Sequence, residues 1–129
     1  MGVPPKLSDA EWDVLKPFWE QGPLAARDVF AAVPQEREWS YRTVKTMLSR
    51  LVAKGALTYK QVGNSYLYRP VYSRGEMTRA ATGSFIDRVF DGALRPFVAH
   101  FAESISDEEL ALLKSEIRAI ELRKRRERS

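Results

Sequence analysis

Residues 40–51 read Ser40-Tyr41-Arg42-Thr43-Val44-Lys45-Thr46-Met47-Leu48-Ser49-Arg50-Leu51. Val44, Met47, Leu48 and Leu51 recur at helical spacing, so one side of this segment is apolar. Ser40 has the chemistry of a helix N-cap, whose oxygen accepts an otherwise unpaired backbone N–H. Gly55 suits the C-terminal end, where a left-handed residue closes the last turn. With Val44, Leu48 and Leu51 turned inward, Arg42, Lys45, Thr46 and Ser49 point outward. Arginine and lysine donate to guanine or phosphate, and a threonine methyl can touch a thymine methyl. Such a helix, placed last in a three-helix unit, suits the major groove of DNA. A solvated amphipathic face would carry the same residue types, so the neighbouring segments must decide.

Downstream, residues 57–62 and 66–69 are β-like, with Gly63-Asn64 near the tip. A Gly/Asn pair tolerates the positive φ that a tight hairpin requires. Lys54, Lys60 and Asn64 would then lie beside the same groove and hold phosphates. Tyr59, Tyr66 and Tyr68 alternate along the hairpin. Stacking on single-stranded bases is one reading, but packing on one face is the better one. Upstream, Ser8-Asp9-Ala10-Glu11 is a capping box. The helix behind it carries Trp12, Leu15, Phe18 and Trp19, with Pro17 expected to kink or loosen it. Gly22-Pro23 ends that helix. A short second helix has Ala25, Val29 and Phe30 on its inner side, and Pro34 stops it. Trp12, Trp19 and Trp39 read as core. Three helices followed by a hairpin is the winged-helix order.

Beyond Pro70 the pattern is helical only. One helix covers about 74–90 and a second starts near Leu94, separated by Gly92. A third opens on the capping box Ser106-Asp107-Glu108-Glu109 and carries Leu110, Leu113, Ile117 and Ile120 as a seam suited to helix pairing. The tail Arg123-Lys124-Arg125-Arg126 is expected to be solvated and frayed. The stripes Ile86, Val89, Phe90, Phe97, Phe101, Leu110, Leu113 and Ile117 exceed what three short helices bury among themselves, so a second copy is expected to cover them. The division is residues 1–72 for a winged helix-turn-helix and 73–129 for a helical dimerisation unit. The fold class is mainly α with a small β-hairpin wing.

Of the 129 residues, 44% are hydrophobic and 29% charged, which is ordinary globular material. The net charge of +4 is a modest pointer to a polyanion, so its placement matters more than its size. There is no cysteine, which excludes disulfides, thiolate metal sites and thiol nucleophiles. No apolar run is long enough to span a bilayer, and the first residues lack a signal-peptide core. A cytoplasmic protein without membrane insertion is expected. Catalysis finds little support: His100 is the sole histidine, between Phe97 and Phe101, and there is no phosphate loop, HExxH or nucleophile elbow. No enzyme activity, cofactor or metal is expected.

Together these segments resemble the BlaI/MecI/CopY family of bacterial repressors. The resemblance rests on Leu7-Ser8-Asp9-Ala10-Glu11-Trp12-Asp13-Val14-Leu15 with Phe18-Trp19, and on Ser40 through Gly55. It continues in Tyr66-Leu67-Tyr68-Arg69-Pro70, Phe85 to Phe90 with Gly92, and Phe97-Val98-Ala99-His100-Phe101. The order and spacing of these pieces are specific where each alone is not. The resemblance implies a homodimer on palindromic operator DNA, with Ser40, Tyr41, Arg42, Thr43, Lys45, Thr46, Ser49, Arg50, Lys60 and Asn64 facing it. The β-lactam branch of the family is inactivated by proteolysis at an Asn-Phe pair, through a membrane-bound sensor metalloprotease system. The matching pair here is His100-Phe101. The copper branch ends in a cysteine metal-binding tail, which this chain lacks. Two other readings stand beside the repressor: a winged-helix module that binds protein, and a regulator gated by a small molecule held next to the dimer helices.

Overall fold

The computed structural model describes residues 2–129. In chain order the elements are α1 (Asp9–Gln21), β1 (Leu24–Ala25), α2 (Ala26–Ala32), a 3-10 turn (Gln35–Arg37) and α3 (Tyr41–Lys54). Then follow β2 (Leu57–Val62), β3 (Ser65–Pro70), α4 (Arg74–Phe90), α5 (Leu94–Ser104) and α6 (Asp107–Arg128).

The starts of the helices follow from their side chains. The Glu11 N–H donates to Ser8 Oγ at 3.2 Å, and the Ser8 N–H donates to Glu11 Oε1 at 2.8 Å. The same reciprocal pair opens α6 between Ser106 and Glu109. A third, between Ser73 and Glu76, opens α4. Pro17 is buried inside α1, yet the helix runs on to Gln21. Its missing N–H leaves the Asp13 carbonyl without a helical partner. Gly22, at φ +89°, ends the helix and donates to the Phe18 carbonyl.

The hairpin belongs to a three-stranded antiparallel sheet of order β1-β3-β2. Sequence patterning did not anticipate β1, where Leu24 and Ala25 pair with Tyr68 and Leu67. Val62 faces Ser65, leaving Gly63-Asn64 as a two-residue turn. Gly63 takes φ +62° and Asn64 does not turn positive, the pattern of a turn needing glycine at its first central position.

The core joins Val14, Leu15 and Phe18 of α1 to Val29 of α2, Val44, Leu48 and Leu51 of α3, and Leu57 of β2. The tryptophans rim this core rather than fill it. Trp19 and Trp39 are partly buried against it, and Trp12 tilts on Trp19 at 5.8 Å. Phe30 is 40% exposed, not inward as expected, and meets the Tyr41 ring edge-on at 5.7 Å. A seven-residue helix has one narrow inner stripe, and Val29 occupies it.

Packing separates two compact units, the first ending at Thr82 and the second Gly83–Ser129. This change in packing falls inside α4, where Met77 is still buried while nothing after it is. In the second unit the aromatic rings gather locally. Phe97 meets Phe85 at 6.2 Å and Phe90 at 5.7 Å, stacks on Phe101 at 5.9 Å, and Phe90 lies 6.1 Å from His100. The basic stretch Arg123–Arg126 is helical, since α6 continues to Arg128. Cations at a helix C-terminus meet the negative end of its dipole, which accounts for a tail that does not fray.

Candidate nucleic-acid interface

The exposed side of α3 is built by its buried side. Val44, Met47, Leu48 and Leu51 anchor the helix in the core, which turns Arg42, Thr43, Lys45, Thr46, Ser49 and Arg50 to solvent. Ser40 Oγ accepts from the Thr43 N–H at 3.1 Å and lies 3.0 Å from Thr43 Oγ1. Ser40 is therefore committed to the start of the helix. Thr46 Oγ1 donates to the Arg42 carbonyl at 3.1 Å, which fixes the hydroxyl and leaves the methyl group for an outside partner.

Grooves flank this ridge on both sides. One, toward the start of α1, is lined by Arg42, Thr43, Thr46 and Arg50 with Ser8 and Lys54. The other lies between α3, the start of α2 and the hairpin. It is lined by Lys45, Ser49, Tyr41, Arg27, Gln61, Asn64 and Tyr66 among others. Tyr41 is the hinge of that second groove: the Arg27 guanidinium sits 4.9 Å from its ring centre and Lys45 Nζ 5.6 Å. Both cations line that groove and are attracted to the face of the ring.

The electrostatics are one-signed. α3 contains no Asp or Glu. Among the described residues, Arg42, Lys45 and Arg50 enter no ion pair. By residue count the first unit holds twelve Lys/Arg against eight Asp/Glu, and Gly83–Ser129 holds nine of each. The whole net charge of +4 thus belongs to the unit that carries α3.

Not every candidate joins this surface. Lys54 Nζ donates to Glu11 Oε1 at 2.7 Å and to the Lys6 carbonyl at 3.1 Å, so it staples α3 to the start of α1 and is not a free phosphate contact. Burial pushes the Glu11 carboxyl up, but hydrogen bonds from Lys54 and Ser8, with the Lys54 charge, together hold it below the usual range. Lys60 is exposed, but register sets it opposite Leu67. It shares that face with Thr58 and Arg69, away from the tyrosines. Tyr59, Tyr66 and Tyr68 pack together on the other face, with rings 4.6 Å and 5.9 Å from Tyr59. Burial, then the neighbouring Tyr66, Tyr59 and Tyr41, raises the Tyr68 phenol. Arg27 and Gln61 were missed as candidates. The period-two rule signals Gln61, which shares a face with Tyr59. Nothing local signals Arg27, whose position depends on how α2 meets α3.

Residues 7–119 match the penicillinase repressor family. The chain belongs to this family. It is 32% identical over 108 residues to the penicillinase repressor of Bacillus licheniformis, covering 82% of this chain and 84% of that protein. It is 25% identical over 112 residues to the methicillin resistance regulatory protein MecI of Mammaliicoccus sciuri, covering 85% and 91%. The solution structure of the DNA-binding domain of the repressor BlaI matches with a TM-score of 0.51 at 33% identity, covering 59% of this chain and 93% of that one. The protein is accordingly a DNA-binding transcriptional repressor of winged-helix fold, and not an enzyme. Among the described residues no helix of the repressor is long and apolar enough to cross a membrane. Nor does any cluster of three or more His, Asp or Glu stand ready to hold a metal.

Proposed function

We propose that the repressor binds a palindromic operator as a homodimer, each copy placing α3 in the major groove. The observation that carries this reading is the ridge of unpaired cations and hydroxyls on a helix without a single carboxylate. Arg42, Thr43, Lys45, Thr46, Ser49 and Arg50 face base edges and phosphates. Ser40 and Tyr41 set the end of the helix that enters first. Lys60 and Asn64 hold the flanking backbone. Residues 1–72 supply this surface and 73–129 the dimer contact.

The dimer reading is supported by what is left uncovered. No side chain of Gly83–Ser129 is buried, and Val89, Phe101 and Ile117 are 55%, 45% and 49% exposed. Ile86, Phe90, Phe97, Leu110 and Leu113 are only half-covered. Burying such side chains fully is worth about 1.5–3 kcal/mol each, a gain that a second copy supplies. For release, we infer cleavage between His100 and Phe101 under a membrane-bound sensor metalloprotease system, in the cytoplasm. That bond lies inside α5, so a cut detaches α6 from the dimer unit.

Salt titration of duplex binding tests the reading. Affinity should fall steeply with salt, as expected for several displaced counterions, and R42A with R50A should flatten the slope by about one unit each. Salt-independent binding of the repressor to duplex DNA contradicts it.

A further inference from the structure

The groove between α3, the start of α2 and the hairpin gathers two cations on one aromatic ring. Arg27 lies in the first turn of α2, and Lys45 one turn on from Tyr41 in α3. They stand 4.9 Å and 5.6 Å from the centre of the Tyr41 ring. Both are exposed, and neither enters an ion pair among the described residues. Asp28 brings the one carboxylate in the lining of this groove, and its Oδ2 accepts from the Ala25 N–H at 3.4 Å. Two like charges near one ring repel each other, and attraction to the ring offsets that repulsion. The ring itself is well anchored. Tyr41 is half-buried at the start of α3, and Phe30 of α2 meets it edge-on at 5.7 Å. Positive charge from two helices is thus concentrated, ordered and left without a counter-charge.

We propose that Arg27 is a further contact to the DNA backbone, and that Tyr41 is the positioning residue that holds Arg27 and Lys45 ready for it. This rests on the seat of α3 in the major groove proposed above and adds a second helix to the grip. A phosphodiester supplies the missing negative charge, and a guanidinium donates to its oxygens in a planar fork. Long cationic side chains lose rotamer freedom when they bind, and a ring that already orders them lowers that cost. Contacts to phosphate carry no sequence information but fix register and orientation on the duplex. With Arg27 on α2 and Lys45 on α3, one backbone strand is held from both helices, which sets the angle at which α3 enters the groove.

Salt titration of the full-length repressor on a mixed-sequence duplex tests both roles. Arg27→Ala should weaken binding and lower the salt slope by about one unit. Tyr41→Leu keeps both charges but frees them, and should weaken binding by about two- to tenfold for each side chain that must be ordered again. Tyr41→Phe keeps the ring and should restore most of that loss. The deciding readout is coupling. In the Tyr41→Leu background Arg27→Ala should cost clearly less affinity than in the unaltered protein. A tyrosine that served only the fold of α3 would leave that cost unchanged, so an equal cost in both backgrounds overturns the positioning role. An unchanged salt slope in Arg27→Ala overturns the backbone contact, while a slope still lowered by R42A keeps α3 in the groove. Salt-independent binding by the unaltered repressor overturns both this contact and the reading beneath it.

Discussion

Thr46 presents two groups at the surface of α3, and only one is free. Its hydroxyl is held by the Arg42 carbonyl, so what remains for discrimination is chiefly the methyl group. Thr46→Ala removes that contact and should blunt preference for the cognate base by about 1–3 kcal/mol, measured by competition between operator variants. Unchanged preference would remove Thr46 from the reading surface. Lys60, on the outer face of the hairpin, should behave differently. Lys60→Ala should weaken all duplexes alike and reduce the salt slope by about one. Glu11 is a residue of stability. Its folded carboxyl is depressed below the usual 4.5, so the pair with Lys54 contributes above that value and is lost as pH falls through the lower folded value. Glu11→Gln should therefore cost about 1 kcal/mol at pH 7, a modest figure because Lys54 is partly in water. It should cost less at an acid pH below the folded value. Thermal denaturation at the two pH values checks this, and an equal loss at both would show that charge is not its basis.

At the scale of elements, α3 and its surroundings were readable because each signal is local. Ser40 caps, Gly55 turns left-handed at φ +85°, and the apolar spacing fixes which residues face out. The hairpin was readable from Gly63-Asn64 for the same reason. What escaped needed partners distant in sequence. Two residues cannot show a period, so β1 is visible only once Leu24 meets Tyr68. Phe30 and Arg27 depend on the angle at which α2 meets α3, and Lys54 on the approach of Glu11. The cap has a consequence that separates folding from recognition. Ser40→Ala should lower stability by about 1 kcal/mol and weaken binding to every duplex without altering base preference. A changed preference in selection on mixed operators would mean that Ser40 reads DNA itself.

The molecule as a whole divides its labour by charge and by burial. Its positive excess lies in the unit with α3, and most of its exposed large apolar side chains lie in Gly83–Ser129. A chain ending at Thr82, which keeps the buried Met77, should be monomeric and bind a full operator far more weakly than the intact protein. The second half-site is then no longer held at high effective concentration. Equal affinity of the two forms would contradict linked binding. Release should follow the same logic. Induced cells should yield fragments ending at His100, found by mass spectrometry, and derepression with the chain intact would point to another mechanism. Because the bond is helical, cutting requires local opening of α5 first.

The most direct test of the central claim is selection of bound sequences from a random duplex pool by the intact repressor. The expected result is a consensus with dyad symmetry, its half-sites about one helical turn or a multiple apart, and loss of that consensus with R42A/T46A. A single unrepeated motif, or no enrichment at all, would contradict it.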